Sequence, residues 1–399
     1  MKEGKKNLTE YWWKKEFSFD EWMLLIKNNI KKKYKYWMKA MLFAAITIRI
    51  AGTFYAKSID YSLYLAPWVD AYSKMSFLEA LRSHVTNYYV PYNIILILIS
   101  RIPLPPYIGI SFVSCLADFI MAYFLYLILE HFQHNPQRHA FMSLSVLLLP
   151  ICFIDSAIWK QCDSLYAMFA IISIYYYLKK SYSQCFVFYA VGFSFKLQII
   201  FLLPLYGMLW IWKRNHSIMY FMWIPVFYIL CGLPSVLAGA DVAVVFRTYL
   251  AQIRTYPETS INYPNIWGLL PVFFGNPAVI IGEIVTVFFL LLFLIINLKS
   301  CRITKENDCL WLIGMTVWTC TMFLPCMHER YDYLALIVLW IYALNTENSN
   351  LKLVMAMQMI MAVCYTQWSY YIYFPILCVA YIWIYIMMIR CYRQKNNGR

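Results

Sequence analysis

Two stretches decide what this chain can fold into. "YIGISFVSCLADFIMAYFLYLILE" (107–130) and "PAVIIGEIVTVFFLLLFLIINL" (277–298) are apolar for more than twenty residues, with two acids in the first, one of them its last residue, and one in the second. About 20 such residues cross a bilayer as a helix. The rest of the chain agrees: 62% of its 399 residues are hydrophobic and only 14% are charged, against about 25% in a soluble protein. The expected fold is an all-α, polytopic transmembrane helix bundle.

The net charge of +14 is concentrated near the start, in "KKNLTEYWWKKEFSFDEWMLLIKNNIKKKYKYWMK". Residues 1–36 read as a cytoplasmic, basic, amphipathic segment. Its lysines face anionic headgroups, and its aromatic and aliphatic side chains face acyl chains. No folded basic domain accompanies the lysines, so nucleic acid is not the expected partner; membrane lipids are. No signal peptide with a small-residue cleavage site is visible. The cysteines lie mostly inside apolar runs, without zinc spacing, and read as small core residues.

A first span is expected at about 37–55. Basic segments at 131–139, 179–180, 212–216, 299–308 and the C-terminal tail fit an N-in, C-in bundle of about twelve spans, provided that the short run 92–103 is interfacial or re-entrant. The main module then covers 37–345, and 346–399 adds C-terminal spans and a basic cytoplasmic tail. On this topology the polar inserts at 57–91, 155–164, 195–198, 246–268, 327–333 and 366–371 all face away from the cytosol. Short interfacial helices are expected within 57–91.

These inserts hold the groups able to do chemistry. Asp60 follows the first span and has the position of a general base for a sugar hydroxyl, though from position alone a solvated loop aspartate is the plainer reading. Asp70 reads as a surface residue. "SAIWKQCDSLY" brings Trp159 and Gln161, an aromatic platform with an amide, next to Asp163. Asp163 or Ser164 at that point also suits a helix cap. "GFSFKLQ" places Lys196 and Gln198 between apolar half-runs, where a lysine either snorkels or meets an anion such as phosphate. "YPNIWG" offers Asn265 and Trp267 as groove residues, although loop chemistry alone accounts for its prolines and asparagines. "LPCMHERYDY" sets His328, Arg330 and Tyr331 between two spans. The histidine and arginine form a compact cationic pair for a phosphate, unless Arg330 is merely paired with Glu329 or Asp332.

No Gly-rich phosphate loop, zinc-protease helix or serine elbow occurs, and there is no room for a soluble nucleotide-binding domain. That favours a donor delivered within the membrane.

In this order and topology, "SAIWKQCDSLY", "GFSFKLQ", "YPNIW" and "LPCMHERYDY" resemble the GT-C superfamily of glycosyltransferases, over about residues 40–340. Within it the resemblance is to bacterial mannosyltransferase-like proteins related to the enzyme that adds the second mannose of GPI anchors. The resemblance implies transfer of a sugar from a polyprenyl-phosphate-linked donor to a glycan, glycolipid or protein acceptor. The reaction would run at the outer face of a bacterial plasma membrane, in cell-surface polysaccharide or glycolipid synthesis.

By the same resemblance Asp60 is the base and Asp163 a second acid. Lys196, His328 and Arg330 hold the donor phosphate. Trp159, Gln161, Gln198, Asn265, Trp267 and Tyr331 line the sugar and acceptor sites. No cofactor is required and no metal site is predicted. A divalent ion stays an open question, because the tandem acidic pair of some members is replaced here by Asp60-Tyr61. Lys160 stands where relatives more often carry glycine.

Two other classes remain. A lipid-pyrophosphate polymerase or ligase would carry more outer-loop arginines than Arg247 and Arg254. A lipid-linked sugar flippase would show internal repeats and a polar path through the membrane.

Overall fold

The computed structural model describes residues 32–253, 260–270, 279–300, 305–346, 348–366, 369 and 372–397. Most of the basic segment expected at 1–36 lies outside the described residues, as do parts of the inserts at 246–268 and 366–371. The fold is helical almost throughout. Among the described residues the one sheet is a pair of two-residue strands, Ser260–Ile261 beside Met327–His328, running parallel.

Among the described residues, four helices are long and apolar enough to cross a membrane: Pro106–Phe132, Ile218–Leu237, Val279–Asn297 and Phe374–Gln394. A fifth results if Pro136–Val146 and Pro150–Trp159, bent by 53°, make one span. The Pro106–Phe132 helix has 27 residues and a length of about 40 Å. The region expected as the first span is a continuous helix, Lys32–Thr53, made less apolar by Lys39 and Arg49. Val90–Ile99 is a helix of only 10 residues, too short to cross unaided.

Arg49 shows how a charge is accommodated inside such a bundle. Its Nη2 lies 2.8 Å from Asp118 Oδ2, and its Nη1 donates to Leu147 O at 2.8 Å. Asp118 also accepts from Ser156 Oγ at 2.6 Å and Tyr333 OH at 2.7 Å. The acid that looks isolated in an apolar run is therefore fully engaged, and it ties four segments together. An ion pair withdrawn from water is tolerable only with such supporting hydrogen bonds.

The core centres on Tyr333–Leu344, a helix with ten of its 12 residues buried, apolar on every side. It packs against Glu306–Phe323, which in turn meets the Val279–Ser300 helix. On the other side, Asp163–Leu178 packs between Pro106–Phe132 and Tyr182–Phe195.

Three interruptions in helical runs carry the polar inserts. Pro150 has no N–H, and Leu149 before it is extended, so the run from Pro136 breaks there. The chain then passes through a wide turn at Ile154–Trp159 and reverses at Lys160, whose φ is 62°. A second break falls at Lys196, extended between the Tyr182–Phe195 helix and the tight turns of Leu197–Leu202. The third is the loop 324–332 before Tyr333.

The first insert does contain short helices, Ala66–Ser73 and Phe77–Arg82. The second is held by a reciprocal cap between Ser76 and Glu79. Asp70 is exposed and pairs with Lys74 at 2.6 Å, as its sequence position suggests.

Candidate active site

All three interruptions converge with the first insert. Arg330 Nη1 lies 3.0 Å from Asp60 Oδ2 and 3.2 Å from Glu329 Oε1. Its Nε is 3.8 Å from Asp163 Oδ2, and the same carboxylate oxygen binds Lys196 Nζ at 2.7 Å. Gln161 donates through Nε2 to Asp60 Oδ2 and accepts from Tyr88 OH at 3.0 Å. One connected network thus joins Tyr88, Gln161, Asp60, Arg330, Asp163 and Lys196.

The fold builds this network locally. Lys160, in the left-handed conformation, turns its side chain back, and Nζ donates to the carbonyls of Tyr55 (2.7 Å), Ala157 and Ile158 (both 3.1 Å). It thereby satisfies the carbonyls of the wide turn and ties that turn to the end of the first helix. Ser114 Oγ donates to Gln161 O at 2.7 Å, and Ser58 Oγ to Trp159 O at 3.4 Å. The parallel pairing of Ile261 with His328 brings the 260-loop alongside the Arg330 loop.

Two cavities meet at the network. The larger, of about 410 Å³, has an apolar wall that includes Phe195, Leu197, Ile200, Phe201 and Val279, with Lys196, Gln198, His328, Arg330 and Tyr331 at one end. Glu283 also reaches it. The smaller, of about 200 Å³, is lined by Asp60, Gln161, Asn262, Glu329 and Arg330 with the aromatic rings of Tyr64, Trp68 and Trp159. Asn87, Tyr88, His328 and Arg330 line both. The larger falls within the range of about 300–1,000 Å³ usual for ligand pockets.

Most of the sequence-predicted site residues come together here. Asp60, Trp159 and Gln161 line the smaller cavity, Lys196, Gln198 and Tyr331 line the larger, and His328 and Arg330 line both. Gln198 Oε1 is buried without a hydrogen-bond partner.

Four expectations are corrected. Asp163 is fully buried and lines neither cavity, so it acts on Lys196 and Arg330 rather than on a ligand. Asn265, also fully buried, spends its amide on structure. Its Oδ1 accepts from the N–H of Trp267 (3.0 Å) and Gly268 (3.1 Å), and its Nδ2 donates to Thr321 O and Leu324 O. Trp267 is 2% exposed and donates its indole N–H to Phe323 O. Both residues cap and pack a short turn, Ile266–Leu269, instead of lining a groove. His328 is not half of a cationic pair: burial, with Arg330 and Lys196 nearby, pulls its pKa down to about 2, so the ring is neutral.

Sequence reasoning missed Tyr64, Trp68, Asn87, Tyr88, Asn262 and Glu329 as cavity residues. Glu329 had a usable signal, since it sits inside the polar "HERYD" run. Burial raises its carboxyl to about 7, against the opposing pull of Arg330. Among the described residues, no group of three or more His, Cys, Asp or Glu side chains is placed to hold a metal ion.

Neither protein-family models nor curated proteins give a match to this chain.

Proposed function

We propose that the chain is a membrane glycosyltransferase of GT-C type. It would transfer a sugar from a polyprenyl-phosphate-linked donor to an acceptor hydroxyl, with the site facing outward in a bundle of about twelve spans. One observation carries this reading. Asp60 and Arg330 are in contact where an apolar cavity and a polar, aromatic-lined cavity share a wall.

The apolar cavity suits the first isoprenyl units, with the phosphate between Lys196 and Arg330, and the polar cavity suits carbohydrate. Asp60 removes the proton of the attacking hydroxyl. Lys196 and Arg330, both held by Asp163, stabilise the charge that grows on the departing phosphate. Neutral His328 contributes a hydrogen bond rather than charge. A single displacement of this kind inverts the anomeric carbon.

The test is sugar release and transfer by purified protein given synthetic polyprenyl-phosphate and polyprenyl-diphosphate sugars. Turnover of the monophosphate donor that is lost in Asp60→Asn supports the reading. Turnover of the diphosphate donor alone favours the polymerase or ligase class. Near wild-type turnover in Asp60→Asn removes the base assignment.

A further inference from the structure

Glu329 is the ionisable group of the polar cavity to which the displacement above gives no task. It is 5% exposed, yet it lines the cavity, and its Oε1 shares a single nitrogen, Arg330 Nη1, with Asp60 Oδ2. Two carboxylates on one guanidinium nitrogen, both facing the same small cavity, form a pair in which the charge of each depends on that of the other.

We propose that Glu329 is a second working carboxyl of this site, which takes over the proton that Asp60 removes from the acceptor hydroxyl and so returns Asp60 to its basic form. The inference rests on the glycosyltransferase reading for its chemistry. In that step the acceptor oxygen bonds to the anomeric carbon while the carbon–oxygen bond to phosphate breaks, and the bonding pair stays on the phosphate oxygen. The hydroxyl proton goes first to Asp60, then to Glu329, and leaves to solvent through the cavity. No oxidant or further reactant is needed.

The surroundings suit a group that gains and loses a proton near neutral pH. Arg330 favours the ionised form of Glu329. Burial and the negative charges of Asp60 and Asp163 oppose it. Asp332 in the same loop, and Cys364 and Tyr365 on the Asn348–Tyr365 helix, also interact electrostatically with it. Asp60 takes a hydrogen bond from Gln161 and forms an ion pair with Arg330. Glu329 is the more deeply buried of the two, with 6% of its side chain exposed against 15% for Asp60, and burial disfavours the charged form, so transfer runs toward Glu329.

Two measurements test this. In the first, the carboxylic C=O stretch of detergent-solubilised protein is followed by infrared difference titration. Glu329 and Asp332 should both titrate near pH 7 in wild type; Glu329→Gln should remove one of the two components and leave that of Asp332, and in Asp60→Asn the Glu329 component should move to lower pH because a neighbouring negative charge is gone. An unmoved Glu329 component in Asp60→Asn overturns the coupling, whether or not the protein transfers sugar. In the second, synthetic polyprenyl-phosphate hexose is supplied with water as acceptor. Glu329→Gln should complete a first turnover at the wild-type rate and then slow by about tenfold or more in later ones. Unchanged later turnovers, or loss of the first, overturn the proposal. Absence of sugar release in wild type as well counts against the glycosyltransferase reading, and the infrared titration then decides the coupling alone.

Discussion

Arg330 holds Asp60 at 3.0 Å although the two side chains are only 13% and 15% exposed and come from opposite ends of the chain. A buried pair of this kind is costly to break from one side, by about 3–5 kcal/mol, because the remaining charge is left unpaired. Arg330→Met takes the cation away from Asp60 and Glu329, whereas Asp163 keeps Lys196. Asp60→Asn then removes one of the two carboxylates left without it. The double variant should be less destabilised than the sum of the two single variants by about 1–3 kcal/mol, read from unfolding in detergent. Additivity within about 0.5 kcal/mol would mean that the contact contributes nothing in solution.

The pH dependence of stability separates His328 from Glu329. The folded protein keeps His328 neutral down to about pH 2, whereas the unfolded chain protonates it at 6.5. Its contribution is present above 6.5 and is lost as the pH falls. With His328→Gln this loss on acidification disappears. A folded-state pKa near neutrality would instead leave the curve of that variant unchanged.

Glu329 acts in the opposite sense. Its carboxyl is raised from 4.5 to about 7, so the folded state binds the extra proton and stability falls as pH rises between those values. Asp332, raised from 3.8 to about 7 by burial, has the same sign. Each contributes a slope of about 1.4 kcal/mol per pH unit within its window. Between about pH 5 and 6 these three groups together add two falling terms and one rising one to the wild-type slope. Relative to wild type, Glu329→Gln should make the slope more positive with rising pH, and His328→Gln should make it more negative. Thermal unfolding across that range checks both, and a slope unaffected by Glu329→Gln removes this account of the buried carboxyl.

What the sequence disclosed follows a physical line. Charged groups inside apolar runs are costly, so Asp60, Lys196 and Arg330 stand out, and they do meet. Residues whose chemistry is ordinary in a loop carry no such mark. Nothing in "TNYYVPY" distinguishes Tyr88 until Gln161 is seen to accept its hydroxyl. Asn265 and Trp267 failed for the converse reason: an amide and an indole suit a sugar, but they equally suit a buried turn that needs four hydrogen bonds satisfied. Asp163 was legible as an important acid but not as one shielded from any cavity, since burial depends on partners far away in the chain.

Lys160 offers the last test, because two of its properties pull in different directions. Its backbone, at φ 62°, favours glycine by about 1 kcal/mol or more over any residue with a Cβ. Its ammonium group satisfies the carbonyls of Tyr55, Ala157 and Ile158, which otherwise face a buried turn. Both Lys160→Gly and Lys160→Ala lose those three contacts and should be less stable than wild type. The alanine variant keeps the strain as well, and should unfold with about 1 kcal/mol less stability than the glycine variant. Because Trp159 and Gln161 flank this residue and line the polar cavity, sugar transfer should decline in the same order. Equal stability of the two variants would show that the turn relaxes once the lysine is gone, and that the ammonium contacts, not the backbone, fix the shape of the cavity wall.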